Sequence, residues 1–448
     1  MHIVFYSTSS NIYDGEKTVD TSLPSRASVL ESFALSHPEH TFTVATQLPG
    51  MFLLDVEKNE IKEKAPHIQY CLLQNDDEEL IAEEIAALKP DLVIAASFYV
   101  APFDWLTIKD ALVAEKLRHS GIKTVCHSLE FARDCFDKWR THQLLEKQGI
   151  KTPRAVYLHH ELFNNGGNRS FIKSNVYRTS VLEQIKKLRF PVVIKDCTGL
   201  SSYGMDVVNS FEEAKQIIFS KKTTSDRIIE EFISGTQAGI EIIKTEEKTE
   251  ILPAMIFSVN RYGITSPKQS VKAGPVTGGR FKLIELKSMA EKIAALPGFM
   301  GLAQIDLVFD GNEWFVIEIN PRLSGMTTTY EAMTETSVFE KLLCSAENKT
   351  PQQKLNYCFN IKFPLLEKTE MEKMKALPFV HSVHQIENLG AKQLRETGYL
   401  EVIITAENKK MLQERLIQLK EAFPDSMEEI FYKKAEEIIL KLQEPEQD

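Results

Sequence analysis

Residues 303–322 read AQIDLVFDGNEWFVIEINPR and predict two β-strands joined by a turn at Asp310-Gly311. Side chains alternate between the two faces of a strand, so the segment divides into an apolar face and a polar face. The apolar face holds Ile305, Leu307, Ile317 and Ile319, and the polar face holds Asp306, Glu318, Asn320 and Arg322. This hairpin is the most informative segment of the chain.

The two acids of the hairpin point to a cation. If the connection is a three-residue loop over 311–313, Asp306 lies opposite Glu318, with Cβ atoms roughly 5 Å apart. Two carboxylates at that distance repel unless a cation joins them. Carboxylate and amide oxygens suit Mg²⁺, which keeps water and phosphate oxygens as its other ligands. Arg322 would then face the same phosphates; ordinary charges on an exposed hairpin are the competing interpretation.

Two earlier segments could hold a nucleotide. Residues 191–204, PVVIKDCTGLSSYG, predict a buried strand that ends in Lys195, followed by a loop of small residues whose backbone amides can approach phosphate. A plain turn is the alternative there. Residues 227–235, RIIEEFISG, predict an edge strand or hinge that could pair its backbone with adenine, or an amphipathic strand with solvated acids.

The bulk properties exclude several classes of protein. A chain of 448 residues with 43% hydrophobic and 26% charged residues predicts a globular protein of about three domains. The net charge of −10 argues against broad binding to nucleic acid or anionic membranes. No signal peptide or bilayer-spanning stretch is recognisable, so the expected compartment is the cytoplasm. The six cysteines form no C-x-x-C pair and are expected to be reduced.

The first part of the chain predicts a parallel sheet with crossover helices, because short apolar runs alternate with helical patterns. The runs cover residues 3–6, 41–45, 68–73, 92–96 and 123–126. Residues 7–28 follow the first strand and could form either a substrate loop or a plain surface loop. Beyond residue 191 strand patterns dominate, and the tail adds a strand over 400–405 and a helix over 409–423.

Taken in this order, the segments resemble the ATP-grasp superfamily of carboxylate–amine ligases, which includes D-alanine–D-alanine ligase, biotin carboxylase and the L-amino acid ligases. The resemblance is firmest over 136–326, and Glu318-x-Asn320-x-Arg322 is its most specific part. It implies an α/β and α+β multidomain fold with three parts. These are an N-terminal Rossmann-like parallel-sheet domain (1–128), an ATP-grasp domain (129–345) and a small C-terminal α+β domain (346–448).

The resemblance also implies roles for individual residues. The nucleotide-binding set is Lys138, Lys195, Ser201, Ser202, Glu230, Glu231, Phe232, Ile233 and Gln237. Gln237 stands where many members have a ribose-binding glutamate, and Glu241 could substitute. The implied metal ligands are Asp306, Glu318 and Asn320, and the implied cofactors are ATP with Mg²⁺ or Mn²⁺. Ser324 and Gly325 match a loop that approaches the acyl substrate.

Arg322 and Arg280 are the candidate catalytic residues. Arg322 matches the arginine that stabilises the transferred phosphoryl group, whereas Arg280 ends a basic segment, 258–280, that also contains Arg261 and Lys272. That segment could supply charge for a substrate anion or could be a solvated loop.

The implied reaction phosphorylates a carboxylate with ATP and joins the acyl phosphate to an amine, releasing ADP and phosphate. Small-molecule substrates are expected, with amino acid or peptide ligation first, and a homodimer is compatible with the resemblance. A biotin-carboxylase-like or purine-pathway enzyme and a nucleotide-binding module without turnover are the alternatives.

Overall fold

The computed structural model describes most of the chain. The described residues are 1–8, 12–13, 16–21, 25–48, 53–57, 60–98, 106–166, 169, 171–199, 205–220, 224–259, 270–352, 354–363, 366–388, 399–424, 426 and 429–442.

Strands and helices alternate along much of the chain. Up to residue 150 they are β1 (His2–Ser7), β2 (Ile12–Tyr13), β3 (Glu16–Thr21), α1 (Arg26–Ser36), β4 (Thr41–Thr46), β5 (Asp55–Glu57), β6 (Glu60–Glu63), β7 (Ile68–Leu72), α2 (Glu78–Ala87), β8 (Leu92–Ala95), α3 (Leu106–His119), β9 (Lys123–Val125), α4 (Leu129–Phe136) and α5 (Lys138–Lys147). Up to residue 350 they are β10 (Ala155–Leu158), α6 (His160–Phe163), α7 (Val176–Ile185), β11 (Val192–Asp196), β12 (Asp206–Val208), α8 (Phe211–Ile218), β13 (Arg227–Glu231), β14 (Thr236–Lys244), β15 (Thr249–Ile251), β16 (Met255–Phe257), β17 (Val271–Gly274), a 3₁₀ turn (Gly279–Phe281), α9 (Leu283–Ala294), β18 (Gly301–Phe309), β19 (Trp314–Asn320), α10 (Thr327–Thr334) and α11 (Val338–Ala346). The remainder are β20 (Tyr357–Phe363), α12 (Lys368–Lys375), β21 (Val380–Asn388), β22 (Tyr399–Ala406), α13 (Lys409–Ala422) and α14 (Glu429–Lys441).

The N-terminal sheet has the order β7-β4-β1-β8-β9 and is parallel throughout. Its central strand is buried on both faces, as the fully buried Val4 and Phe5 show. A strand covered on both sides is expected where crossover helices flank a parallel sheet. The predicted Rossmann-like domain is therefore confirmed.

A smaller antiparallel sheet follows, in the order β10-β13-β11-β12. The helices α7 and α8 pack on it through a separate core that includes Val181, Ile185 and Ile218. Strand β13 lies between two neighbours, so the prediction of an edge strand over 227–235 is wrong. Residues 232–235 then lead directly into β14 of a different sheet, which makes this segment the link between the two sheets.

The largest sheet runs through the rest of the molecule in the order β19-β18-β14-β16-β17-β20-β22-β21-β3-β2, with β15 paired to β14. The three C-terminal strands continue the sheet that holds the 303–322 hairpin, and α13 and α14 cover it. Residues 346–448 thus contribute both strands and helices but have no separate sheet within their described part. The exact division at residues 128 and 345 stays a prediction.

The segment 7–28 forms neither of the predicted loops along its described part. Strand β3 pairs antiparallel with β21, with Thr21 opposite Gln385, and β2 pairs with β3. Without β3, the strand β21 would be the edge of the large sheet and would leave backbone groups unpaired; β3 satisfies them.

The decisive hairpin forms as β18 and β19, with one difference in register. Four residues, 310–313, make the turn, so Phe309 pairs with Trp314. A β-bulge then inserts Ile317, which restores the pairing of Asp306 with Glu318. The prediction that Ile317 lies on the apolar face is wrong, because the bulge leaves it half-buried and Val316 takes its place in the core.

None of the helices in the described ranges combines the length and the apolar character that crossing a bilayer requires.

Candidate active site

The polar face of the hairpin forms a connected network. The Gln304 amide donates to Asp306 Oδ1 at 2.7 Å, and the Asn320 amide donates to Gln304 Oε1 at 3.0 Å. Arg322 donates in turn to Asn320 Oδ1 at 3.0 Å and to the Leu323 carbonyl at 3.0 Å. The strand register fixes this arrangement, since Gln304 lies opposite Asn320 and Asp306 opposite Glu318. Sequence reasoning missed Gln304, although it precedes Asp306 by two residues and so shares its face.

Lys138 reaches this face from the start of α5. Asp137 caps that helix by accepting from the amides of Trp139 and Arg140, which sets the direction of the first turn. The Lys138 ammonium lies 3.0 Å from Glu318 Oε1 and donates to the Gly199 carbonyl at 2.8 Å. It thereby joins the hairpin to the end of β11, where the small-residue loop begins. Ser201 and Ser202 of that loop lie outside the described residues.

Lys195 is buried on β11 and forms an ion pair of 2.6 Å with Glu230 Oε2 on the neighbouring strand β13. Both side chains are only 5% exposed, so neither charge can be left without a partner at low cost. Glu230 therefore holds Lys195 with its side chain, a contact that the hinge interpretation of Glu230 did not include.

The charges of the site act on one another. Burial and the neighbouring Glu318 carboxylate raise the pKa of Asp306 to about 6. Burial also pushes the pKa of Glu318 up, but Lys138, Lys195 and Arg322 outweigh that effect and leave it lowered. Three cations thus surround the Glu318 carboxylate, whose pKa is lowered, whereas the neighbouring Asp306 has a raised pKa and loses its proton less readily.

In the segment that links the two sheets, the first backbone amides already donate hydrogen bonds within the protein. The Glu231 amide donates to the Arg154 carbonyl and the Phe232 amide to the Pro191 carbonyl, both at 2.9 Å. The Glu231 carboxylate turns away and accepts from the Arg189 amide at 2.9 Å. Gly235 closes the link where a Cβ atom would lie 2.1 Å from the Phe309 carbonyl oxygen, so only glycine fits. Gln237 follows, half-buried, on β14.

The basic residues of 258–280 separate in the structure. Lys272 lies on β17 with its ammonium 5.2 Å from the Phe257 ring, and its pKa is lowered to about 8 by burial and by Lys362. Its charge acts on Asp306, so it belongs with the site. Arg261 lies outside the described residues.

Arg280 is exposed and donates to the Lys441 carbonyl of α14. It follows β17 and adjoins Phe281, whose carbonyl accepts from Trp314 at the turn end of the hairpin. The structure does not bring Arg280 to the acids, which lie further along the two strands.

Glu241 holds the loop after Arg322 through two hydrogen bonds. Ser324 and Thr327 donate their hydroxyls to Glu241 Oε1 at 2.8 and 2.7 Å, and all three side chains are buried. Burial raises the pKa of Glu241 to about 7. As placed, neither the Ser324 hydroxyl nor Glu241 is free to meet a substrate or a ribose. Gly325 lies beside Lys272, with a hypothetical Cβ atom 3.8 Å from the ammonium.

A small cavity opens next to Arg322, where the N-terminal sheet meets the hairpin. Its polar lining comes largely from the N-terminal domain. The polar residues that line it are Ser97, Thr107, Asp110, His127 and Arg322. Leu323 joins the two parts, because its amide donates to the Ser97 carbonyl at 3.2 Å. His127 fixes the junction by donating to the Leu302 carbonyl and accepting from the Met300 amide.

Two acids, two amides and several cations between two sheets are a typical arrangement for binding a metal–nucleotide complex. The comparisons with known proteins agree with this class. Residues 135–326 match the ATP-grasp domain family, and the chain therefore carries an ATP-grasp domain.

Curated relatives match about half of the chain. The arginine-specific large chain of carbamoyl phosphate synthase from Bacillus subtilis is 25% identical over 47% of this chain and 19% of its own length. D-Alanine–D-alanine ligase from Buchnera aphidicola is 29% identical over 43% of this chain and 60% of its own length. The chain thus spans less than two thirds of each of these relatives.

Solved structures extend the similarity of fold to nearly the whole chain. The L-amino acid ligase from Bacillus licheniformis superposes with a TM-score of 0.64 at 15% identity, covering 94% of this chain and 97% of that one. The N5-carboxyaminoimidazole synthetase from Staphylococcus aureus gives 0.61 at 13% identity, covering 94% and 97%.

Proposed function

We propose that this chain is an ATP-dependent ligase that phosphorylates a carboxylate and joins the resulting acyl phosphate to an amine, releasing ADP and phosphate. The observation that carries the proposal is the pairing of Asp306 with Glu318 beneath Lys138, Lys195 and Arg322. The names of two relatives, D-alanine–D-alanine ligase and L-amino acid ligase, support amino acids or peptides as the substrates.

ATP would lie between the small sheet and the large sheet. Lys138 and Lys195 would contact its phosphates, together with Ser201 and Ser202 of the loop that Lys138 anchors. With the Glu231 and Phe232 amides already paired, contact with adenine would fall to the Glu231 carbonyl and the Ile233 amide. Gln237 would bind the ribose hydroxyls, since an amide side chain can both donate and accept.

The donor set fits a hard divalent cation, because two carboxylates and an amide converge where three cations would meet phosphate. Asp306, Glu318 and Asn320 would hold Mg²⁺ or Mn²⁺, with Gln304 fixing the orientation of Asp306 and Asn320. When bound, the ion neutralises phosphate charge during phosphoryl transfer.

The protein's own contribution to the reaction is positioning and charge. Arg322 is held by two hydrogen bonds at the mouth of the cavity, where its guanidinium would stabilise the transferred phosphoryl group and the acyl phosphate. The carboxylate substrate would enter the cavity between the N-terminal sheet and Arg322, with the backbone around Gly325 beside it. We leave Arg280 out of this arrangement, because its guanidinium donates to the Lys441 carbonyl of α14.

The test is release of ADP and phosphate from ATP and Mg²⁺ across a panel of amino acids, dipeptides, hydroxy acids and bicarbonate. We expect stimulation by a carboxylate together with an amine, and loss of that stimulation in the Glu318→Ala variant. Stimulation by bicarbonate alone would instead favour a carboxylating enzyme. Tight ATP binding without stimulation by any member of the panel would contradict ligation of these substrates.

A further inference from the structure

A second cluster of metal-type ligands lies outside the candidate active site, where the end of α1 meets the end of α11. The sequence His37-Pro38-Glu39-His40 makes a tight turn, closed by a hydrogen bond from the His40 amide to the His37 carbonyl. One ligand atom each of His37, Glu39 and His40 lies within 4.8 Å of the others. Glu347, directly after α11, lies beside the cluster but is not part of it: its Oε1 atom is 2.9 Å from His40 Nε2, and its Oε2 atom is 2.7 Å from the Lys349 ammonium.

The separations between these atoms suit a small tetrahedral site. Glu39 Oε1 lies 3.7 Å from His37 Nδ1 and 3.6 Å from His40 Nε2. Zinc bonds of about 2.0–2.1 Å in a tetrahedron place neighbouring ligand atoms about 3.3 Å apart. The observed separations of 3.6 and 3.7 Å exceed that spacing by a few tenths of an ångström, so small movements would bring the three ligand atoms around one ion.

An unsatisfied atom points into the same space. The His40 side chain is only 7% exposed, and its Nε2 atom makes no hydrogen bond of acceptable geometry within the described residues. The opposite nitrogen, Nδ1, lies 3.3 Å from the Met1 nitrogen.

The two rings are also held in place. His37 Nε2 lies 2.6 Å from Glu340 Oε2, so a carboxylate receives the N–H of the nitrogen that faces away from Glu39. Metal-binding histidines usually have such a partner, which fixes the ring and raises its basicity. Phe33 and Phe42 pack beside the rings, with the His40 and Phe42 planes at 85°.

We propose that His37, Glu39 and His40 bind one Zn²⁺ ion, with a water molecule as the fourth ligand. Two imidazoles and one carboxylate favour a borderline transition metal over Mg²⁺, which prefers oxygen ligands throughout. The ion would fix the turn that follows α1, and the contact between His37 and Glu340 would hold that turn against α11. Its role is structural and independent of the proposed ligase reaction.

The test uses the full chain without an affinity tag, carrying Glu318→Gln so that the candidate nucleotide site is impaired. After treatment with a chelator, the protein is dialysed against Zn²⁺ and its zinc content is measured by elemental analysis. We expect one equivalent, with a rise in Tm because the ion binds the folded state alone. His40→Gln should lose the bound zinc, and Glu340→Gln should weaken binding by about 10–100-fold through the orientation of His37.

The matched control is His67→Gln, since His67 also contacts a glutamate, Glu31, but lies outside the cluster. That variant should retain one equivalent. Because His40→Gln could impair folding, Glu39→Gln provides a second test on a side chain that is 54% exposed, with circular dichroism as the check of fold. Failure of the parent to bind zinc, or undiminished binding by a folded Glu39→Gln or His40→Gln protein, would overturn the proposal.

Discussion

Glu318 is the residue on which the charges of the candidate site converge. It faces Asp306 across the hairpin, contacts Lys138 at 3.0 Å and has its pKa lowered by the surrounding cations. Its side chain is 26% exposed, so it contributes little to the core. A residue with these properties serves the site more than the fold.

We therefore expect Glu318→Ala to lower kcat by at least about 10²-fold, because a ligand for the metal and the partner of Lys138 are both lost. The measurement is ADP release under the conditions that stimulate the wild-type protein. Glu313→Ala, in the turn of the same hairpin, is the matched control and should retain activity. A Glu318→Ala protein with wild-type turnover would remove the metal site from this face.

Glu241 gives a prediction about pH. Its pKa in the folded protein is about 7, above its ordinary value, so the folded state keeps a proton that the unfolded state releases. Its contribution to stability is thus complete below about pH 4.5 and is lost as the pH rises through 7. Glutamine can still accept from Ser324 and Thr327 but has no charge to bury.

Between pH 4.5 and 7.5, the unfolding free energy of the Glu241→Gln variant should rise by roughly 3 kcal/mol relative to that of the wild-type protein. Denaturant titrations at several pH values measure it. Glu247→Gln, at an exposed position, should show no comparable drift. A constant difference across the range would mean that the pKa of Glu241 is not raised in the folded protein.

Single residues also show what alternation along a strand can predict. It placed Asp306, Glu318, Asn320 and Arg322 on one face, as observed, and applied two residues earlier it would also have found Gln304. Alternation carries no information about partners from distant strands. The burial of Glu241 beneath Ser324, and the distance of Arg280 from the acids, depend on how β14 and the turn before α9 pack, which local sequence does not fix.

At the scale of elements, β11 and β13 are joined by a buried charge pair on the face opposite their apolar core. Removing Glu230 alone would leave the buried Lys195 ammonium unpaired, and breaking a pair of this kind costs about 3–5 kcal/mol. Replacing both residues with apolar side chains removes that penalty. The pair therefore allows stability and nucleotide binding to be separated.

We expect Glu230→Leu to be strongly destabilised and the double variant Lys195→Met/Glu230→Leu to recover most of the loss. The ATP affinity of the double variant should remain reduced, because the Lys195 charge that would face the phosphates is gone. Thermal unfolding and a direct measurement of the ATP Kd distinguish the two effects. Wild-type ATP affinity in the double variant would exclude Lys195 from the phosphate site.

The hairpin β18–β19 shows why an element could be predicted but not its details. The period of two and the Asp310-Gly311 turn indicated both strands and the pairing of the acids. The turn has four residues instead of three, which shifts the strand register by one residue, and the bulge at Ile317 shifts it back. The pairing of Asp306 with Glu318 therefore survives, whereas Val316 takes the core-facing position that was predicted for Ile317. Such compensation depends on the fit of Trp314 and Val316 into the core, which no periodicity expresses.

At the scale of the whole molecule, the continuous large sheet determines which parts of the chain can fold by themselves. The C-terminal strand β20 pairs with β17, and β22 pairs with β20. Helices α13 and α14 cover the same core through Leu412, Leu416 and Ile438. A boundary near residue 345, which the resemblance implies, would cut through this sheet. The candidate site would stay intact in the shorter chain, but β17 would become an exposed edge.

We expect a chain of residues 1–345 to be insoluble or aggregated, although it retains every proposed ligand of ATP. Sedimentation of the expressed fragment, compared with the full chain, measures this outcome. A soluble and active fragment would show that residues 346–448 form an independent domain after all.

The pairing of β3 with β21 orders events during synthesis. Strand β3 leaves the ribosome early, yet its partner follows only after most of the chain has been translated. Until then the nascent protein exposes a strand with no sheet to join, while the sheets that need only nearby neighbours can already close. Closing so long a loop is slow. The last step in the maturation of this protein should therefore be the capture of one of its earliest strands.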